Sequence, residues 1–333
     1  MPRHGSARRC ARPSPSTCGA SVAETDELGN STMSSACRRC LLASTVLLLF
    51  CGMAPCIASA RGFGGTHADL GEPLQIPIAD PDGHPWTLQG RLCRPAGVSR
   101  PRVVVIAHGS PAKASDRPGM TLETCDGESA RWFLRHHYAV ALVLRLGYGA
   151  TGGPWSEGYD GCDRADYVKA GLETARQLKR IVDALTALPD YSPTGAIVVG
   201  QSAGGWGTLA YDSLPHPNVS AFVNMAGGRG GHFHDRPNSN CHADRLIAAA
   251  ATFGRQATTP MLWIYTANDS FFGPDLAASL HRAFTDAGGH AVLVTPAAFG
   301  DDGHHLFFGH GGSAIWGPAV DRYLGSMDAP ASP

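Results

Sequence analysis

From about residue 72 onward the chain alternates short apolar runs with longer amphipathic stretches. Residues 74–78 and 87–92 flank the turn-rich Asp80-Pro81-Asp82-Gly83, which predicts an antiparallel pair. Val103–Ala107 is apolar without interruption, as expected of a strand covered on both faces. A helix is expected over 127–137 and another buried strand over 139–144. Val168, Leu172, Ala175, Leu178, Val182 and Leu185 recur every three or four residues and predict a long helix over 164–188, closed by Pro189 and Pro193. Further strands are expected at 196–199, 219–223, 261–265 and 290–294, with helices at 274–286 and roughly 313–326. Strands alternating with helices predict an α/β fold with a mostly parallel central sheet flanked by helices. Such sheets gather their chemistry at the carboxyl ends of the strands. Residues 226–259 carry no strong strand signal and read as a short lid over that edge.

Composition changes this picture little. The 333 residues are 43% hydrophobic and 17% charged, with a net charge of −1. That is ordinary globular composition, long enough for one large domain. It gives nucleic-acid binding no electrostatic support. Dinucleotide and phosphate-loop fingerprints are absent from the sequence, and no cofactor is expected.

The beginning of the chain reads as a targeting segment. Arg38-Arg39 precedes an apolar core over 41–50, and Ala58-Ser59-Ala60 offers a cleavage site. This is the pattern of a secretory signal peptide, and the core is short for a membrane span. Met33 is a plausible true start. The expected organisation is an N-terminal extension and signal peptide over 1–60, a linker over 61–71, a folded domain over 72–327 and a tail over 328–333. Export to a periplasmic or extracellular destination follows. Cys93, Cys125, Cys162 and Cys241 then remain, an even number that favours two disulfides among three possible connectivities. The favoured pair is Cys125 with Cys162, both expected in loops or helix starts after neighbouring strands.

The segment Gly200-Gln201-Ser202-Ala203-Gly204 joins a predicted strand to a predicted helix. A serine at the apex of so sharp a turn projects its hydroxyl above the sheet, and the positions two residues either side need glycine because a Cβ there would collide. A serine hydroxyl is a weak nucleophile and needs a base, itself held by a third group. Asp269 directly follows the 261–265 strand, and His304 follows the 290–294 strand, so an acid and a histidine come in the expected order. Asp301 and Asp302 are rivals for the acid and His305 for the base. Asp269 could also cap the helix near Pro274. Two backbone N–H groups should face the developing oxyanion. Ala203 follows the nucleophile, and Ser110 lies in His108-Gly109-Ser110-Pro111 after the Val103–Ala107 strand. Tyr148, in a glycine-rich loop, and Trp206 are weaker candidates for contact with substrate. His232, His234, Asp235, Cys241 and His242 resemble a metal cluster without ligand geometry, and no metal is expected.

Together these residues resemble the α/β-hydrolase superfamily, in particular its dienelactone-hydrolase-like and prolyl-oligopeptidase-type branch. The resemblance covers about residues 72–327. It rests on V-V-V-I-A-H-G-S-P, G-Q-S-A-G-G, N-D-S-F-F and D-G-H-H-L-F, taken in order. The D-G-H-x-L-F pattern of that branch favours His304 over His305. Dienelactone hydrolases proper carry a cysteine where Ser202 stands, and prolyl oligopeptidases carry a propeller that cannot fit before residue 72. The resemblance therefore implies a serine hydrolase acting on a small ester, with a peptidase on short peptides as the alternative. A third reading is an inactive hydrolase fold that binds a ligand.

Overall fold

The computed structural model describes residues 71–328. The expected signal segment, the linker before residue 71 and the tail from residue 329 lie outside the described residues. The chain opens with β1 (Glu72–Ala79) and β2 (Pro85–Cys93), an antiparallel pair joined through the 80–84 turn. Asp80 holds that turn, accepting from the N–H groups of Asp82 at 3.0 Å and His84 at 2.8 Å. Next come β3 (Val103–Ala107), α1 (Glu128–Arg135), β4 (Ala139–Val143) and α2 (Tyr167–Thr186). Then follow β5 (Ala196–Gln201), α3 (Ala203–Asp212), β6 (Val219–Met225) and α4 (Ala243–Gly254). The described residues close with β7 (Met261–Ile264), α5 (Pro274–Asp286), β8 (Ala291–Val294) and α6 (Ser313–Asp328).

Among the described residues, eight strands form one sheet in the order β1-β2-β4-β3-β5-β6-β7-β8. β2 pairs antiparallel with β4, and every pairing from β4 to β8 is parallel. The continuous apolar runs are explained by the pleat. Val103, Val105 and Ala107 face one core, while Val104 and Ile106 face the other. α2, α3, α4 and α5 cover the first face, and α1 and α6 cover the second. The predicted elements are all present, several with shifted ends. α2 starts at Tyr167 rather than 164 because Asp166 caps it, accepting from the Lys169 N–H at 2.8 Å.

The connection read as a lid divides in two. α4 buries Leu246, Ala249, Ala250 and Phe253 and is part of the helical layer. Residues 226–242 alone border the cleft described below.

The favoured Cys125–Cys162 pairing is not the one formed. Cys93 bonds Cys125, and Cys162 bonds Cys241. Cys93 ends β2 opposite Val140 of β4, where the chain leading into α1 passes. Cys162 lies beyond the β4 loops, against the 226–242 segment. Where loops from separate elements meet, which the spacing does not show, decides both partners.

Candidate active site

The site is built where β5 turns into α3. Ser202 sits between them with φ 55° and ψ −120°, a positive-φ conformation that costs an L-residue energy, and it lines the cleft described below. Its N–H donates to Met225 O at 3.0 Å, and its own carbonyl accepts from Trp206 and Gly228 N–H at 2.9 and 3.1 Å. The strained residue is thus held by three neighbours. A Cβ on Gly200 would run into the Gly204 carbonyl and Thr208 Oγ1, and one on Gly204 into the Ala107 carbonyl. The glycines are required by contact, as the turn demands.

Asp269 follows β7 and His304 follows β8. The His304 Nδ1–H donates to both carboxylate oxygens of Asp269, at 3.1 Å each. Asp269 Oδ1 also accepts from the N–H groups of Phe271 and Phe272, at 2.8 and 2.9 Å. Both side chains are buried. A carboxylate at Nδ1 fixes the proton there and leaves Nε2 as a lone pair facing the cleft, the form a base needs. Gln201 Nε2 donates to the His304 carbonyl at 3.1 Å, and Phe271 stacks on the imidazole with ring centroids 4.3 Å apart. Phe271 and Gln201 carry no sequence signal of their own beyond adjacency to Asp269 and Ser202.

The rivals stand elsewhere. Asp302 accepts from the backbone N–H of His304 and Ser270, each at 3.0 Å, and from the Ser270 hydroxyl at 2.5 Å. Burial would raise its carboxyl, but these donors hold it below the usual carboxylate range. It shapes the loop and leaves the imidazole ring to Asp269. His305 is exposed and Asp301 likewise. Asp269 does not cap α5, whose N-cap is Gly273.

The 108–110 loop is anchored from behind by charges that no sequence pattern groups. Arg145 and Glu157 are fully buried and meet as a two-point ion pair, with Arg145 Nη2 donating to Oε2 at 3.2 Å and Nε to Oε1. Arg145 Nη1 donates to the His108 carbonyl at 2.8 Å, and its backbone N–H donates to His108 Nε2 at 3.1 Å. His108 therefore carries its proton on Nδ1, which donates to Gly109 O at 2.6 Å. Burial and the Arg145 charge push the His108 imidazole down to about 3, so it stays neutral. Burial alone would raise the Glu157 carboxyl, but Arg145 and Arg229 beside it hold it at about 2. Arg145 could have been flagged as a charge placed directly after an unbroken apolar strand. Glu157 offers no such sign.

Tyr148 and Trp206, read as substrate contacts, both lie in the interior. Tyr148 is 0% exposed, its hydroxyl donating to Glu157 Oε2 at 3.0 Å. Trp206 donates to Tyr167 O at 2.8 Å and packs on Phe253. Neither lines the clefts. Cys241, counted in the possible metal cluster, is a cystine and has no thiolate to offer.

Two clefts meet at Ser202. One, of about 330 Å³, is lined by Ser202, His304 and His305 with Ile106, Leu144 and Phe308 among the apolar walls. The other, of about 540 Å³, is lined by Ser202, Ala203, Trp155, Arg229 and Phe272 among others. Ser110 borders both.

A mostly parallel eight-stranded sheet, helices on both faces and a strained serine between β5 and α3 define the α/β-hydrolase fold. Solved structures with this fold are similar over most of the chain. The Pyrococcus furiosus esterase Pf2001 superposes with a TM-score of 0.51 at 14% identity, covering 77% of this chain and 91% of that one. Est1E from Butyrivibrio proteoclasticus, with ferulic acid bound, gives 0.52 at 15% identity, covering 77% and 100%. The Pyrococcus horikoshii acylaminoacyl peptidase gives 0.55 at 14% identity, covering 78% of this chain but 42% of that one. No family model matches the sequence, and no curated protein matches it.

Proposed function

We propose that the protein is an exported serine hydrolase of the carboxylesterase type, working through an acyl-enzyme on Ser202. The observation that carries this reading is the two-point grip of Asp269 on His304 beside a strained serine at the shared cleft. In this reading His304 Nε2 takes the Ser202 proton as Oγ bonds to the ester carbonyl carbon. The carbonyl oxygen becomes an oxyanion facing the Ser110 and Ala203 N–H groups, the latter in the first turn of α3, where N–H groups lack intrahelical acceptors. The tetrahedral centre collapses, the C–O bond to the alcohol breaks, and His304 returns the proton to that oxygen. Water, deprotonated by the same imidazole, then frees the acid and restores the serine.

Similar structures described as esterases and as an acylaminoacyl peptidase support a hydrolase. The aliphatic walls of the first cleft favour an ester over a peptide, whose backbone amides would need hydrogen-bonding partners there. Two cystines favour an oxidising destination. No helix among the described residues is long and apolar enough to cross a membrane.

The test is a fluorophosphonate probe together with butyl and p-nitrophenyl acyl esters and matching peptide amides. The wild-type protein should label and cleave the esters. Ser202→Ala should lose labelling and at least about 10⁴-fold in kcat while keeping its melting temperature. Labelling undiminished in Ser202→Ala would remove this serine from the mechanism. Faster cleavage of amides than of esters would replace the esterase with the peptidase.

A further inference from the structure

The second cleft holds an unbalanced charge. Arg145 and Glu157 neutralise each other in their two-point pair. Arg229 reaches the same carboxylate, Nη2 donating to Glu157 Oε2 at 2.7 Å and to Thr174 Oγ1 at 2.9 Å. Two guanidiniums thus share one carboxylate, and the group keeps one positive charge in surplus. Arg229 is only 5% exposed, and its Nε is sealed in the interior, so the donor left for a ligand in the cleft is Nη1. Among the described residues, all its side-chain hydrogen bonds run from Nη2. A buried cation with unspent donors is costly unless an anion completes it.

Arg229 lines the cleft directly beside the catalytic turn, since the adjacent Gly228 donates its N–H to the Ser202 carbonyl. Arg117 borders the same cleft with its guanidinium 3.7 Å over the Trp155 ring. The one carboxylate on this wall, Asp160, is already bonded to Lys169 Nζ at 2.7 Å. The wall therefore carries net positive charge.

The two clefts also differ in what they place beside the reacting bond. His304 lines the first and not the second. The proton that His304 returns must reach the departing alcohol, so the alcohol lies in the first, aliphatic cleft. The acyl chain then extends into the second. We propose that Arg229, with Arg117 at the mouth, binds a carboxylate at the far end of the acyl chain, so that the substrates are monoesters of dicarboxylic acids. The inference rests on the serine hydrolase reading. The products are the alcohol and a dicarboxylate, with one water consumed and no other reactant.

The test compares monobutyl glutarate with butyl pentanoate, which share the alcohol and the acyl chain length. Butanol release gives kcat/KM for each. The wild type should favour the glutarate about 10–100-fold, the scale of a charge-assisted hydrogen bond, and added salt should shrink that ratio. Arg229→Met should lower the ratio towards one. Arg117→Ala, a change at a partly exposed residue, should lower it by a smaller factor and keeps the question decidable if Arg229→Met does not fold. Equal or faster turnover of the pentanoate by the wild type would overturn the proposal while leaving the hydrolase intact. So would a glutarate preference that both variants and salt leave untouched. Failure to cleave either ester or to label with fluorophosphonate would strike the underlying reading instead.

Discussion

At the scale of single residues, the candidate chemistry depends on where one proton sits. Asp269 accepts from His304 Nδ1 and so presents Nε2 unprotonated to the cleft. Asp269→Asn offers an amide that can donate to Nδ1 and reverse the tautomer. On the proposed mechanism kcat should fall by about 10³–10⁴, with a melting temperature close to that of the wild type; steady-state kinetics alongside thermal unfolding would read both. The core of this site was legible in the sequence for a steric reason. Gly200 and Gly204 are forced by a turn that leaves no room for a Cβ, and they single out the serine between them. Asp269 and His304 were legible because strand ends are where side chains reach a common rim. Glu157 was not, since an acid in a loop has no local signature until two distant arginines pack on it. Tyr148 misled for the opposite reason. Its glycine-rich surroundings read as a surface loop, whereas the ring turns inward to Glu157.

At the scale of elements, apolar runs, helical periodicity and the elbow motif located the eight strands and five of the six helices among the described residues, because burial on one or two faces writes itself into local pattern; α4 was missed, its segment being read only as a lid. Partners between elements left no such trace. The cystines show this, since the meeting of loops from separate elements chose them. Cys162–Cys241 ties the segment after β4 to the segment after β6, and the two segments contribute Tyr159 and Gly230 to the lining of the second cleft. Removing this bridge with Cys162→Ala and Cys241→Ala together should cost about 2–4 kcal/mol of stability. Because the bridge holds a cleft wall and not His304 or Asp269, KM should rise by a larger factor than kcat falls. Urea denaturation and ester kinetics on the double variant check the two halves. A larger loss in kcat than in affinity would show that the bridge serves the catalytic groups themselves.

At the scale of the whole molecule, the buried charges set how the fold meets acid. The Glu157 carboxyl lies at about 2 in the fold, against 4.5 ordinarily. Its contribution is complete above 4.5 and is lost as pH falls towards 2. The His108 imidazole lies at about 3 against 6.5. It stays neutral in the fold while the unfolded chain takes up a proton below 6.5, so stability again falls as pH drops from 6.5 towards 3. Both act in the same direction, and His108 acts first. Urea midpoints should therefore decline steadily below pH 6.5. His108→Gln, which can still accept from Arg145 and donate to Gly109, should flatten the limb between pH 6.5 and 4.5 and leave the steeper acid limb in place. An unchanged upper limb in that variant would assign the decline to other groups.

The meeting of two separate clefts at Ser202 has a kinetic consequence. On the proposed mechanism, once the first product departs, its arm stands open to solvent while the other arm is still filled by the group on the serine. A short alcohol added to the medium can follow the same vacated route as water and compete for the intermediate. The protein should then, on that mechanism, partition between hydrolysis and transesterification, in a ratio set by how much methanol or butanol shares that channel with water.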